Sequence, residues 1–575
     1  MMQQYHPIEP ENFVMISPGM PAINPASVLK QTNIAQRKKK VFPGDQFDEA
    51  AIEKYAETQL LAGNFSSYLA YIDSLTTETL HQKPLLLVYK ATAMFLSEYP
   101  LREILQVLSD AENLDQNRQL TGEIGIIRAI CQVYSVDPEK GIALSQKALS
   151  KIDPAHIFFR NLVERNLGVT FTIKGDLKSA NIWFEKLLMS SYQLADWSGV
   201  LAAYNYLTYI RKVQGQLRNA GVIYKKALAF VQKNHLEHLP HGIKIIAGYG
   251  HLLLIWNRIE EAKAYLNQAI HLASQSDILY AHTAYNNLSE LRIRQNDILG
   301  ALATIQELRH QVYGREDLYE HIHNQHLQAV EARIHLAAGN LELASLWLQS
   351  SGITGSSIRD LQNRYGFELG YLLPIAGRIL IGCNKVEEAI RLLSDGVPNF
   401  MHQGANSHLI GTLGALAIAY ERQGNHEKAR HTLDKALQYA APENNFGDLI
   451  FLGRDLLFIL DGKNSSGTFH SFEESLKSTL VALKPYPQYN FFQEDDDLLS
   501  AREMDVLELI AQGMTNKEIA KSLYLSANTI KSHSINIYRK LEVNNRNQAV
   551  KKARSLGLLP PIIASKNTLT YTFQG

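Results

Sequence analysis

The chain has 575 residues, 46% hydrophobic and 20% charged, a balance that excludes a mostly disordered polymer and, at this length, a single hydrophobic core. Two cysteines, Cys131 and Cys383, are too few for a disulfide framework or a cysteine-based zinc site and fit a reducing compartment, so the expected location is cytoplasmic. The net charge of zero conceals an asymmetry: residues 498–560 carry ten Lys and Arg against five Asp and Glu, and the rest of the chain holds the compensating acidic excess of five.

Residues 1–45 are rich in Pro, Asn and Ser, end in Arg37-Lys38-Lys39-Lys40 and read as a flexible tail without the pattern of a secretory signal. From 46 to 461 one pattern returns: a turn pair, three positions, then a small residue opening an amphipathic helix. Its clearest copies are Gly175-Asp176 with Ala180, Gly215-Gln216 with Ala220, Asn257-Arg258 with Ala262, Asn296-Asp297 with Ala301, Gly339-Asn340 with Ala344, Asn384-Lys385 with Ala389 and Gly424-Asn425 with Ala429. The alanines follow one another at 40, 42, 39, 43, 45 and 40 residues. Weaker copies near Gly63, Glu98 and Asp137 bring the count to about ten units.

Gly or Asn supplies the left-handed turn that closes one helix, and Ala lets the next helix approach closely. Each unit is therefore predicted to be a helix hairpin. One hairpin cannot bury its apolar face alone, so the units are expected to stack into a solenoid with a concave surface open to a partner. Apolar residues keep helical spacing, as in Ile182, Phe184, Leu187 and Leu188 after Ala180. Trp183, Trp347 and Tyr265, each three residues past a repeat alanine, are read as core packing. The most apolar window, Ile243 to Trp256, is interrupted by Lys244 and His251 and falls short of the ~20 residues of a membrane span, so no membrane segment is predicted. His235, His238 and His241, and again His321, His323 and His326, are spaced closely, but the first series crosses a loop at Pro240 and neither has a carboxylate or cysteine at a recognised ligand spacing. No metal site is predicted.

The period exceeds the roughly 34 residues of a standard tetratricopeptide repeat, which implies longer helices, yet the Gly-Asp/Asn and Ala signature is similar. It resembles the long-repeat variety of MalT-like regulators. Residues 462–497 read as a linker: Gly462 to Gly467 breaks the pattern, a short helix is predicted over Glu473 to Leu483, and Pro485-Tyr486-Pro487 leads to the acidic run Glu494 to Asp497.

The last module spans 498–560, with a tail at 561–575. Ser500 with Glu503 and Thr515 with Glu518 form capping boxes that start two helices; Ser526 caps a third, and Asn545 with Gln548 starts a fourth. The second helix ends near Leu523 and the third begins by Ala527, a turn short enough for a helix-turn-helix. In the third helix Ile530, Ser534, Ile537 and Leu541 form an inward stripe, leaving Lys531, Ser532, Ile535 and Arg539 outward. Lys531, Ser532 and Ile535 are the candidates for base contact in a major groove, since Lys reads guanine, Ser bonds to several edges and Ile meets a thymine methyl. Thr515, Asn516 and Lys517 at a helix start, with Thr529 and Arg539, are the candidates for phosphate. His533 is open to either phosphate contact or packing.

Leu499 to Glu503, Val506-Leu507, Ile510 to Gly513, Asn516 to Ala520, Ser526, Thr529 to His533, Lys540-Leu541, Val543, Arg546 and Gln548 to Val550 resemble the LuxR family signature almost throughout. The resemblance implies a four-helix bundle that binds double-stranded DNA as a homodimer, with the helix Arg546 to Leu556 supplying the dimer contact. The departures are Ser500 for the usual Thr, Asn545 for Ser or Thr, and the apolar Ile535 where relatives often place a polar or basic residue.

Relatives of the MalT type carry an ATP-binding domain before the repeats, but no G-x-x-x-x-G-K-[ST] occurs here, and Gly462-Lys463 lacks both the preceding glycine and the following hydroxyl. Neither is there room for a receiver domain of alternating strands and helices. No catalytic motif and no cofactor site is found, so an enzyme is not expected. The expectation is an all-α regulator, a TPR-like solenoid that receives an effector or protein signal followed by a DNA-binding module. The alternative is a scaffold whose repeats grip a protein partner, with weak tethering to DNA.

Overall fold

The computed structural model describes residues 49–97, 99–133, 138–275, 282–312, 320–461, 469–483, 501–522, 527–541 and 543–555. Every regular element among them is a helix. Helices pair in sequence, for example Ile157–Lys174 with Leu177–Leu194, Trp197–Val213 with Leu217–Asn234, and Pro240–Ile255 with Ile259–Ser274.

The seven repeat turns have one chemistry. Gly175, Gly215, Asn257, Asn296, Gly339, Asn384 and Gly424 all lie in the left-handed region, with φ between +59° and +83°. At each turn the next residue's N–H reaches back to a carbonyl five residues earlier, as Asp176 to Phe171 at 2.9 Å, Arg258 to Leu253 at 2.8 Å and Asn425 to Tyr420 at 2.9 Å. This bond satisfies a carbonyl that the helix end would otherwise leave unpaired. Asp176, Asp297, Asn340 and Asn425 then cap the following helix, accepting from the backbone N–H three residues on. All seven repeat alanines are fully buried.

Phe184, Leu187 and Leu188 are buried with Ala180, but Ile182 is 47% exposed. Two residues along a helix is a turn of about 200°, so Ile182 faces away from the stripe that its neighbours share. Trp347 is buried as expected, whereas Trp183 and Tyr265 are half-buried. Lys186 lies over the Trp183 ring at 4.4 Å, and Tyr265 packs edge-on against Tyr249 at 4.9 Å.

The solenoid curls tightly enough to touch itself. Gln362 Nε2 donates to the Ile173 carbonyl at 3.3 Å, Trp256 Nε1 to the Glu443 carbonyl at 3.2 Å, and the Arg218 N–H to the Glu443 carboxylate at 2.8 Å. The first two pairs are 189 and 187 residues apart, between four and five repeat units. Gly447 sits so close to Ile255 that a Cβ there would come within 2.8 Å of its Cα. The concave surface expected to be open to a partner therefore lines a partly enclosed cavity.

The segment read as a linker contributes a helix, His470–Ala482, that packs on the array rather than hanging from it. Phe472, Leu476, Leu480 and Leu483 join the array core, Phe472 stacks on Phe446 at 4.5 Å, and the buried Glu473 accepts from Arg430 at 2.8 Å. A separate core of Val506, Leu507, Ile510, Ile519, Ile530, Ile537, Leu541, Ala549 and Ala553 holds the helices Ala501–Ala511, Asn516–Ser522, Ala527–Lys540 and Arg546–Ser555 together. Glu98, Asp137, Ser500, Ser526, Leu556, the N-terminal tail to residue 48 and the tail from 561 lie outside the described residues.

Candidate functional site

Two regions bring functional side chains together. In the C-terminal helices, Thr515 and Glu518 close the expected box: the Thr515 N–H and Oγ1 both donate to Glu518 Oε2, at 2.7 and 2.8 Å, and the Glu518 N–H donates back to Thr515 Oγ1. The bond from the Thr515 backbone, then that from its hydroxyl, hold the Glu518 carboxyl below its usual range. Asn545 Oδ1 caps the last helix by accepting from the Gln548 N–H at 2.9 Å. Two cations of the basic surplus serve the fold. Arg546 donates to the Ile510 and Met514 carbonyls, tying the last helix to the first, and Lys540 pairs with the buried Glu503 at 2.9 Å.

These ties fix the rotation of the third helix. Ile530, Ser534, Ile537 and Leu541 are buried, with the Ser534 hydroxyl donating to the Ile530 carbonyl. Lys531, Ser532, Ile535 and Arg539 are exposed along the opposite side. Ile535 is 56% exposed. Lys517 and Thr515 are exposed at the start of the second helix and Asn516 is half-buried, while the Thr529 side chain lies outside the described residues. His533 is half-buried. On the last helix Ala549 and Ala553 face the core, and Asn547, Gln548, Lys551 and Lys552 face outward.

The second region is the cavity of about 480 Å³ inside the curled array, lined from the first helix of successive units. Glu290 sits between two guanidinium groups, 2.8 Å from Arg294 and in direct contact with Arg333, which also lies 3.7 Å over the Phe451 ring. His326 bonds to Glu368 at 2.5 Å and stacks on Tyr371. Burial pushes the Glu368 carboxyl up, but His326 beside it, with His282 and His408, outweighs burial and holds it low. His326 is raised: Glu368 overcomes a burial effect of the opposite sign. Burial pushes Asp448 up, against its bonds from Ser407 and Asn445.

Three further histidines line the cavity in neutral form. Burial, then Arg165 and Lys244, push His241 well below its usual range; burial, then Lys212 and Arg294, do the same to His251. Burial brings His408 down to about 4. His251 Nδ1 is 3.2 Å from Lys212 Nζ. Of the first closely spaced series, His235 and His238 are exposed while His241 is buried; in the second, the His321 and His323 side chains lie outside the described residues.

Sequence reading missed the cavity, although a signal was present. The first helix of several units carries polar residues three, four or seven apart: His241, Lys244 and His251; His282, Asn286, Glu290 and Arg294; His326 and Arg333. That is one helix face. Lys244 and His251, noticed only as interruptions of an apolar window, belong to it.

Residues 122–463 match the family model described as "MalT-like TPR region", and residues 497–553 match "Bacterial regulatory proteins, luxR family". Similar curated proteins include two named "HTH-type transcriptional regulator MalT". The one from Vibrio parahaemolyticus serotype O3:K6 is 23% identical over 537 residues, and the one from Vibrio campbellii is 22% identical over 534. Both alignments cover 86% of this chain and 56% of the relative, so the chain spans little more than half the length of the curated relatives it matches.

Proposed function

The chain belongs to the family of MalT-like TPR regions, and on that premise we propose that it is a sequence-specific DNA-binding transcription regulator whose repeat array receives a small effector. The observation that carries this reading is the exposed face of Lys531, Ser532, Ile535 and Arg539, held outward on the third helix of a module that matches the luxR family. A helix of that kind enters the major groove, where Lys531 and Ser532 hydrogen-bond to base edges and Ile535 meets a thymine methyl. Asn516, Lys517, Thr529 and Arg539 hold phosphates, and Thr515 positions its helix. A second copy of the chain docks on the outward face of the helix from Arg546, so that the protein reads a two-fold site as a homodimer.

We assign an array from 46 that takes in the helix His470–Ala482, whose packing on the array core supports the extension, then a linker to 497 and a DNA-binding module over 498–560. A cavity of about 480 Å³ is the size of a small-molecule site and too small for a folded partner. This favours an effector over the protein-gripping scaffold. We place the protein in the cytoplasm and assign it no chemistry of its own.

The test is to incubate the full-length protein with fragmented genomic DNA and sequence what it retains, with Lys531→Ala alongside. A shared, roughly palindromic site that the variant no longer retains is the expected result. Retention of featureless DNA, equal in both proteins, sinks the reading.

A further inference from the structure

Resting on the reading that the array receives a small effector, we propose that the cavity takes an uncharged aromatic molecule with one amide-like edge, an N–H beside a C=O, as in an aryl carboxamide or a lactam fused to an aromatic ring. The charged side chains described in its lining are engaged within the wall. Glu290 is shared by Arg294 and Arg333, Glu368 is bonded to His326, and Asp448 accepts from Ser407 and Asn445. Arg165 and Lys212 each lie 5.8 Å over a ring of the same lining, Phe95 and Tyr224, while Arg364 donates to the Ser351 carbonyl and Lys244 is partnered as well. An ion entering such a wall would lose its water and find a counter-charge only by breaking one of these arrangements, whereas an uncharged ligand disturbs none.

The polar edge follows from His241 and Asn286, which line the cavity from the first helices of adjacent units, Pro240–Ile255 and His282–Arg294. In both a buried atom has no hydrogen-bond partner, His241 Nδ1 and Asn286 Oδ1. Burial, then Arg165 and Lys244, keep the His241 ring from taking a proton, so it holds one donor and one acceptor nitrogen. An N–H beside a C=O answers the two side chains together, the N–H donating to Asn286 Oδ1 and the carbonyl accepting from the imidazole. The aromatic body follows from the rings around them. Phe184 is stacked on one face of Tyr206 at 4.6 Å, and Tyr206 lines the cavity with its ring 6.0 Å from that of His241. Tyr209, Tyr365 and Tyr371 line it too, and such walls favour a flat apolar body in offset or edge-on contact. A polyol fits poorly, because hydroxyls all round it would lose water beside groups already bonded to one another.

The test uses the full-length protein and four matched probes, naphthamide, naphthoate, protonated naphthylmethylamine and the saturated decalin carboxamide, each followed by calorimetry and by the unfolding midpoint. Naphthamide should bind about tenfold or more tightly than the other three and raise the midpoint most. Asn286→Leu and His241→Phe should each weaken naphthamide about fivefold or more and leave naphthoate as it was. Because the atoms they remove have no partner in the free protein, both variants should keep its midpoint or raise it, which separates a binding role from a structural one. His241→Gln, which keeps a donor and an acceptor, should retain most of the naphthamide affinity. Binding of the anion, the cation or the saturated amide as tight as that of naphthamide, no binding of any probe, or variants that bind naphthamide as the parent does would overturn the proposal. DNA retention is read in the same samples. Naphthamide that binds without altering DNA retention supports the ligand class while removing the effector role, so the two readings fail separately.

Discussion

The C-terminal module and the repeat array place their cations on opposite sides of the helices that carry them. In the module Lys517, Lys531, Arg539, Lys551 and Lys552 are exposed, and the local surplus of positive charge is visible in composition. The array is acidic by count, yet among the described residues six Lys and Arg line a partly enclosed cavity beside three carboxylates. Net charge therefore located the exposed cationic face and gave no sign of the enclosed polar one. What separates them is whether the cationic stripe lies on the solvent face of a helix or on the inside of a superhelix, and only the second requires knowing how the units curl.

The largest expected effect sharpens that contrast. Arg333→Met removes one partner of a pair in which both side chains are about nine-tenths buried. Breaking such a pair costs about 3–5 kcal/mol, and because Arg294 still holds Glu290 the lower end is expected. All four tryptophans, Trp183, Trp197, Trp256 and Trp347, lie in the array, so their fluorescence reports its unfolding alone. The tryptophan midpoint should fall while DNA affinity, measured below that midpoint, stays unchanged. Loss of DNA binding in proportion would mean that the two regions fold as one unit. Conversely, Lys531→Ala should cost about 1–3 kcal/mol of DNA affinity and relax preference at one base position, whereas Arg539→Ala should weaken all sequences alike and reduce the salt dependence by about one phosphate contact. Neither should move the tryptophan midpoint.

Much of this was legible from the chain because the relevant signals are local. The turn residues Gly175 to Gly424 and their alanines lie within a few positions of each other, and each adopts the conformation that its chemistry favours. The inward stripe of the third module helix, Ile530 to Leu541, is equally local. The cavity is not. Glu368 meets His326 across 42 residues and Trp256 meets Glu443 across 187, so their juxtaposition depends on small rotations summed over several units. The helix His470–Ala482 was foreseen as a helix, but its attachment to the array depends on Phe446 and Arg430, contacts that no spacing rule announces.

Acid should act on the array before the module. His241, His251 and His408 have folded values depressed by burial first, so the unfolded chain takes up protons near its ordinary value of about 6.5 that the folded array refuses. Their contribution is present above that value and is lost as the pH falls below it. His326 has the opposite sign: raised by Glu368 against burial, it contributes fully below the unfolded value and loses that contribution as the pH rises through its folded one. Burial likewise brings His335 down to about 4, and the bond to Glu123 raises His156; with four depressed histidines against two raised among the described residues, the tryptophan midpoint should drop between about pH 7 and pH 5, at up to about 1.4 kcal/mol per pH unit for each depressed histidine. His251→Gln should flatten the curve. Glu518, whose carboxyl is held low by Thr515, contributes above the unfolded carboxylate value and loses that only as the pH falls through its folded one. A tryptophan midpoint independent of pH over this range would show that the cavity histidines are not the neutral, buried groups described.

The smallest effect tests how the module's second helix meets DNA. Thr515 was a phosphate candidate from its place at a helix start, but its N–H and hydroxyl both donate to Glu518 Oε2, and that charged carboxylate occupies the helix end a phosphate would seek. On the function proposed above, Thr515 acts through the cap, and Lys517 and Asn516 are the proposed backbone contacts of this helix. Thr515→Ala should destabilise the helix Asn516–Ser522 by about 1 kcal/mol, seen as faster amide hydrogen exchange there, while the slope of DNA affinity against salt stays as in the parent. Thr515→Ser, which keeps the hydroxyl, should restore the exchange protection. A salt slope that falls with Thr515→Ala as it does with Lys517→Ala would instead mean that DNA displaces Glu518 from the cap, making the free helix end a site that opens only on binding.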